Sequence, residues 1–536
     1  MIISYGFIHK FSFTLIVFLI LVMLGGLVLN IYAQNQENKS TKTTTPIKHL
    51  IVIYQENVSF DHYFATYPNA SNSNELGEPQ FHSKANTPSI NGLSSSLLTD
   101  NPNTVNPFRI PRSNASTCDN DHLYTRLQEA YNGGLMDRFD KTNFVGKGCN
   151  PSITMGYFDG NTVTALWNYA QHFSMSDNFF ATTFGSSTPG HINLISGQTH
   201  GANPQYLNIT YHGSNMWFIS NGTMIFDANP LYDKCFNPAT KSFPLASMSG
   251  TNVGNLLNSK NVTWGWFQGG FKPTNMTAEG DPFCGSEHKL VQEKQLVVEL
   301  SHGQPPPVVD YLPHHEPFQY YKTTANPDHL PPTSVKMIGH TDQANHQYDL
   351  SDFWDAVNSG NLPSINFLKA PAFQDGHAGY SNPLNEQTFI VDIVNQIQKL
   401  PEWNNTAIII AYDDSDGWYD HVMPPIVSQS DDPNTDALLG NDLCGKPSPE
   451  MYKDRCGHGP RLPLLIVSPF SKVNYVDHQI TDQTSILKFI EDNWNLGQIG
   501  DQSFDTKAGS ILNMFNFTAG HSATKLFLDP SNGTIE

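Results

Sequence analysis

Positive charge is what this chain has least of. Lys and Arg total 29 against 49 Asp and Glu, a formal charge of −20 over 536 residues, which excludes a nucleic-acid partner gripped by a broad basic face. An acidic protein that handles an anionic substrate needs a local positive device, most simply a metal ion. Cysteine is sparse too, six in all, and no two have the short spacing of a zinc knuckle, so disulfides are expected instead. The expected pairing follows chain order, Cys118 with Cys149, Cys235 with Cys284 and Cys444 with Cys456, the last closing the loop "GKPSPEMYKDR". Internal repeats are absent, which leaves one large α/β domain with insertions or a few smaller domains.

The one long uncharged run, "FSFTLIVFLILVMLGGLVLN", spans Phe11 to Asn30 behind Lys10. It reads as an export signal, because a secretory core needs about 7 to 15 apolar residues and a spanning helix about 20. Residues 1–33 are therefore a signal peptide cleaved near Ala33 or a retained N-terminal membrane anchor, and the protein is secreted or held at the cell surface. Residues 34–46, "QNQENKSTKTTTP", lack a core and read as a flexible linker. The folded unit is expected over 47–536, with long loop-rich excursions around 206–340.

Three short runs, "HLIVIY" (His49 to Tyr54), "AIIIAY" (Ala407 to Tyr412) and "LPLLIVS" (Leu462 to Ser468), have no polar alternation and suit strands covered on both faces. A helix is expected before the second, with Ile390, Ile393, Val394, Ile397 and Leu400 on one side. Another is expected after the third, with Thr481 as its N-cap. That alternation predicts an α/β/α sandwich around a mostly parallel sheet.

Ligands of such sheets bind beyond the carboxyl ends of the strands. Two of the predicted strands run directly into oxygen ligands: Glu56 and Asn57 after the first, Asp413 and Asp414 after the second. A lone Asp pair reads equally as a cap or a solvated turn. Two such strand ends in one sheet point instead to carboxylates converging without basic partners, which a hard divalent cation would neutralise.

A third segment, "DNFFATTFGSSTPGHINLISG", turns at Gly185 and presents Ser186, Ser187 and Thr188 before a helix-like stretch. A hydroxyl at a helix N-terminus beside a metal can become a nucleophile; the residues alone do not choose among the three. Histidine is plentiful, 21 in all, with His122, His314, His315, His340, His346, His377 and His421 in polar segments. Any of these is available for phosphate binding or proton donation. The aromatic stretches "MWFIS" and "WGWFQGGF" read as core packing or as a choline- or acyl-binding wall.

Taken together, "IKHLIVIYQENVSFDHYF", the Gly-Ser-Ser-Thr-Pro turn, "GNLPSINFLKAPAFQDGHAGYSNP", "PEWNNTAIIIAYDDSDGWYDHVMPP" and "GHGPRLPLLIVSPFSKVNYVDHQITDQTSILKFIEDNW" resemble the phosphoesterase family of bacterial phospholipases C and acid phosphatases, within the alkaline phosphatase superfamily. The resemblance implies phosphate-ester hydrolysis through a covalent intermediate on Ser187. It implies one or two divalent ions (Ca, Zn, Mg or Mn) on Glu56, Asn57, Ser187, Asp413 and Asp414. It also implies a phosphate pocket of Asn57, His122, His314, His315 and His377, one of the last three histidines protonating the leaving group. Asp416 stands where the family motif carries glycine, and Gly190-His191 where it carries Asn-Arg or Asn-His.

The expected partner is a phosphate ester, a phospholipid diester or a monoester. A sulfate-ester hydrolase is the first alternative, although "SSTPGH" lacks the Arg that such a turn needs. A catalytically silent surface protein is the second.

Overall fold

The computed structural model describes residues 42–536 except 73–77, 143–148, 205–208, 212–213, 217–218, 221, 236–242, 289–307, 448–450 and 519–522. The expected export segment and most of the linker lie outside the described residues. Among the described residues no helix is long and apolar enough to cross a membrane.

A nine-stranded sheet organises the unit Thr44–Glu536. Its strands are β1 (His49–Gln55), β2 (Ser174–Phe180), β3 (Trp264–Gln268), β4 (Gln347–Asp349), β5 (Ile365–Lys369), β6 (Thr406–Tyr412), β7 (Arg461–Val467), β8 (Tyr475–Asp477) and β9 (Thr481–Asp482). Their spatial order is β4-β3-β5-β1-β6-β7-β2-β8, with β9 also on β2. Every pairing is parallel except the two made by β7, which runs against both β6 and β2. The sheet is thus mostly parallel, as expected, but the third predicted strand is the reversed one and brings its first residue, Arg461, to the edge where its neighbours end.

The central strands form where they do because Ile, Val and Leu on both faces favour extended backbone and can be buried from two sides. Every residue of β6 is buried, as are Leu50 to Gln55 of β1. Each such Ile or Val contributes about 1.5–3 kcal/mol on removal from water.

Six helices matter for the site and its support: α1 (Phe60–Phe64), α2 (Thr164–His172), α3 (Ser187–Ser196), α4 (Leu350–Ser359), α5 (Pro383–Lys399) and α6 (Gln483–Trp494). In α5, Ile390, Ile393, Val394 and Ile397 are buried, while Leu400 is its half-buried C-cap. The N-cap of α6 is Asp482 rather than Thr481, which belongs to β9; the Asp482 N–H donates to Ser485 Oγ at 3.0 Å.

Two further segments take a definite place. Thr45 at the end of the predicted linker is tied down, its hydroxyl donating to Asn493 Oδ1 at 2.7 Å. The stretch "WGWFQ" is β3 itself, Trp264, Trp266 and Phe267 being fully buried inside the main sheet. Of the two readings of this stretch, core packing is the one its burial supports. "MWFIS" lies partly outside the described residues. The disulfides follow chain order, Cys118–Cys149, Cys235–Cys284 and Cys444–Cys456.

Candidate active site

β1 and β6 are parallel neighbours with Gln55 opposite Tyr412. The segments that leave these two strands therefore emerge side by side. Glu56, Asn57, Asp413 and Asp414 are all buried. The chain turns sharply at Asn57, whose φ of 60° is left-handed, a conformation Asn tolerates better than most residues. Its N–H donates to Asp413 Oδ1 at 2.9 Å, and the same oxygen accepts the Asp414 N–H at 2.7 Å.

β2 leads through Gly185, at φ 139°, into α3. Ser187 Oγ lies 3.0 Å from Glu56 Oε2, 3.2 Å from Asp414 Oδ2 and 3.4 Å from Asn57 Oδ1. A hydroxyl has one proton, so two of those three acceptors are not served by it. Its neighbours in sequence point elsewhere. Ser186 Oγ donates to Asp227 Oδ1 at 3.0 Å, the same oxygen takes the Thr188 N–H at 2.8 Å, and Thr188 Oγ1 is 3.3 Å from the Tyr320 hydroxyl. Of the three candidate hydroxyls only Ser187 meets the strand-end acids.

The acids do not converge without basic partners, contrary to expectation. Lys369, the last residue of β5, is fully buried and ion-paired to Glu56 Oε1. His315 Nδ1 lies 3.4 Å and His191 Nε2 3.5 Å from that same oxygen, with the two rings stacked at 5.2 Å. Glu56 thus presents one oxygen to Ser187 and the other to cationic and imidazole groups.

Burial, with Asp413 adding to it and Lys369 opposing, raises the Glu56 carboxyl well above its ordinary value. Burial and Asp413 do the same to Asp414. Burial, reinforced by the Lys369 charge, holds the His191 imidazole well below its ordinary value.

The remaining predicted histidines form two groups. His122 Nδ1 lies 3.2 Å from Asp416 Oδ1, and the His122 and His377 rings meet edge-on at 5.9 Å. His377 Nδ1 is 2.6 Å from the Ala378 carbonyl. His314 packs edge-on against His315 at 4.3 Å. Burial lowers His314, His315 and His377, the latter two strongly, so these imidazoles are neutral at neutral pH. Burial would lower His122 as well, but the Asp414 and Asp416 carboxylates outweigh it and hold that imidazole well above its ordinary value. His346 and His421 are structural: one stacks on Trp264 at 4.4 Å, the other bonds Asp61 Oδ2 through Nδ1 at 2.6 Å.

Two buried atoms test whether a cation fits. Asp413 Oδ2 and His191 Nε2 have no hydrogen-bond partner, a costly arrangement unless something else satisfies them. Beside them Ser187 Oγ, Glu56 Oε2, Asp414 Oδ2 and Asn57 Oδ1 supply oxygens of the type hard divalent ions take. Ligand atoms of Glu56, His191 and Asp413 lie within 4.8 Å of one another. The residues fit a divalent cation.

The sequence profile of the phosphoesterase family matches residues 47–497. The chain belongs to the phosphoesterase family. Among the relatives of this phosphoesterase, the non-hemolytic phospholipase C of Burkholderia pseudomallei is 25% identical over 468 residues, 85% of this chain and 56% of the relative. Phospholipase C B of Mycobacterium tuberculosis is 24% identical, covering 90% of this chain and 80% of its own length. Non-specific phospholipase C3 of Arabidopsis thaliana is 22% identical, covering 82% and 66%. This phosphoesterase spans a little over half the length of the first two curated relatives it matches, 56% and 57%. A solved structure titled for glycosaminoglycan metabolism by Bacteroides thetaiotaomicron aligns over 70% of this chain and 75% of its own at 12% identity, with a TM-score of 0.29.

Three features of the site are not marked by the residue pattern: Lys369, Asp227 and the role of His191. A lysine ending an apolar run reads as the solvated end of a strand. Only the pairing of β5 with β1, which the residues alone do not show, sets Lys369 beside Glu56.

Proposed function

We propose that this chain is an exported, metal-dependent phosphoesterase that hydrolyses phosphate esters, phospholipid diesters foremost, through a phosphoserine intermediate at Ser187. The observation that carries the reading is Ser187 Oγ standing within 3.4 Å of oxygens from Glu56 and Asn57 at the end of β1 and from Asp414 at the end of β6. The three phospholipase C relatives and the family membership support the ester class. Three disulfides support folding outside the reducing cytosol.

Glu56, Asn57, Asp413, Asp414 and Ser187 would hold the cation, which when bound supplies Lewis acidity toward the serine hydroxyl and the phosphoryl oxygens. Ser187 Oγ passes its proton to Glu56 Oε2, 3.0 Å away, and attacks phosphorus as the bond to the leaving alkoxide breaks. The leaving oxygen takes a proton from His122, the one pocket histidine whose carboxylate neighbours favour imidazolium; neutral His314, His315 and His377 are suited instead to accept or donate hydrogen bonds to the phosphoryl oxygens. This moves the donor role from the three histidines first expected to His122. Water then attacks the Ser187 phosphoryl ester and gives a proton to His122, the P–O bond to Ser187 breaks, and the proton held by Glu56 restores the hydroxyl.

The test is a comparison of an aryl phosphocholine diester with an aryl phosphate monoester, combined with intact-mass detection of a phosphorylated enzyme after acid quench. Turnover of the diester is expected, with a single phosphocholine adduct from the diester (a phosphoryl adduct from the monoester) that is lost in Ser187→Ala. Steady turnover without any adduct, or monoester turnover alone, overturns the covalent step or the phospholipid assignment respectively.

A further inference from the structure

Asp416 enters the mechanism above only as a carboxylate beside His122, yet it touches both halves of the site. It lies two residues after Asp414 with φ at 51°, a left-handed conformation that suits glycine and that Asp tolerates. Its N–H donates to Asp414 Oδ1 at 2.7 Å. Its side chain is fully buried and its oxygens are divided among Asn57, His122 and Asn120, with the Asp119 carboxyl a fourth hydrogen-bonding neighbour. Oδ1 accepts from Asn57 Nδ2 at 3.2 Å and lies 3.2 Å from His122 Nδ1, and Oδ2 accepts from Asn120 Nδ2 at 3.3 Å.

The Asn57 contact decides an orientation. A primary amide has a donor end and an acceptor end of nearly equal size, and its neighbours choose between the two. With Nδ2 committed to the Asp416 carboxylate, Oδ1 of Asn57 faces Ser187 Oγ at 3.4 Å. Turned by half a rotation, the amide would set oxygen against a carboxylate oxygen and point two N–H donors into the ring of oxygens around Ser187. The first contact would be repulsive; the N–H donors could bond the oxygens present, but they would repel a cation and take those oxygens from it. Glycine at 416, the residue of the family motif, provides no such acceptor.

We propose that Asp416 is a positioning residue: it holds the Asn57 amide with its oxygen toward Ser187 and ties His122 to the same carboxylate, so that the cation-holding side and the histidine side of the site are set by one side chain. This inference rests on the function proposed above. A ligand-orienting partner of this kind is typically worth about 10- to 100-fold in metal affinity or activity.

The experiment uses the full chain, stripped with chelator and titrated calorimetrically with whichever of Ca²⁺, Mg²⁺, Mn²⁺ and Zn²⁺ restores turnover. Asp416→Gly, whose backbone geometry glycine accepts, is expected to keep the wild-type melting temperature within a few degrees and to bind that ion about 10-fold more weakly or worse. Asp416→Asn keeps an oxygen for the Asn57 amide, so its affinity is expected to stay near wild type, while kcat on an aryl phosphocholine diester falls and KM does not. In an Asn57→Ala background the effect of Asp416→Gly on affinity should vanish, because the two act through one contact. Wild-type affinity in Asp416→Gly, or an undiminished effect in the Asn57→Ala background, overturns this inference alone. A wild-type chain that binds none of the four ions and hydrolyses no phosphate ester overturns the function itself and this inference with it.

Discussion

Gly190 presses directly onto Asp413. A Cβ on Gly190 would lie 2.3 Å from the Asp413 carbonyl oxygen, and the Tyr54 hydroxyl holds the Gly190 carbonyl at 3.0 Å from the other side. The first turn of α3 can therefore approach the end of β6 closely enough for Ser187 to reach Asp414. Gly190→Ala is expected to cost about 1–3 kcal/mol in stability through overpacking against rigid backbone. Because the displaced element carries Ser187, turnover should fall on the order of 100-fold. Denaturant unfolding and kcat/KM check the two effects, and a variant with wild-type values for both would show that the contact sets nothing.

The two neighbouring serines provide an internal control. Ser187→Ala removes the only hydroxyl of the turn that meets the strand-end oxygens, and should lower kcat by roughly 10⁴-fold or more, as loss of a covalent nucleophile does. Ser186→Ala removes one hydrogen bond to Asp227, worth about 0.5–1.5 kcal/mol of stability, and should leave most of the turnover. Steady-state kinetics on both variants decide the matter; the reverse pattern would transfer the nucleophile to Ser186.

Lys369 is ion-paired to Glu56, and both side chains are fully buried. Lys369→Met leaves Glu56 buried beside Asp413 and Asp375 without its ion pair, and removing one partner of such a pair costs about 3–5 kcal/mol. A divalent ion held by the same carboxylate adds back binding free energy to the folded state. The loss should therefore be larger in chelator than in excess cation. Urea unfolding of both proteins in both conditions measures the difference, and an equal loss in the two would place the cation away from Glu56.

What could be read from the residues was whatever lies within one element or at its end. Unbroken runs of Ile, Val and Leu mark β1, β6 and β7, and polar residues directly after β1 and β6 mark where the ligands stand. The direction of β7 was not legible, because a buried strand looks alike in either sense. Nor was β3: "WGWFQ" has the aromatic content of a binding wall, and only its pairing with β4 and β5 makes it core. The choice of Ser187 depends on Asp227, 40 residues away, drawing off the hydroxyl before it and the N–H after it. Lys369 and Asp416 were hidden for the same reason, since each acquires its meaning from a partner on another strand or loop. Local pattern carries elements and their ends; partners across the sheet are set by topology.

A last prediction concerns a carboxyl outside the site. Glu491 on α6 is buried beside Asp505, and both accept from the Ile499 N–H, at 3.1 and 2.9 Å. Burial and then the Asp505 charge raise its pKa from 4.5 to about 9. The folded chain thus keeps a proton that the unfolded chain releases as pH rises past 4.5. The stability linked to this group is complete below that pH and is lost as pH climbs through about 9. Glu491→Gln mimics the protonated acid at every pH, still accepting from Ile499 through Oε1 and donating toward Asp505. Its melting temperature minus that of the wild type should therefore widen in the variant's favour as pH rises across the window. A calorimetric pH series measures the gap, and a gap that stays constant or shrinks would mean that Glu491 is ionised in the folded chain.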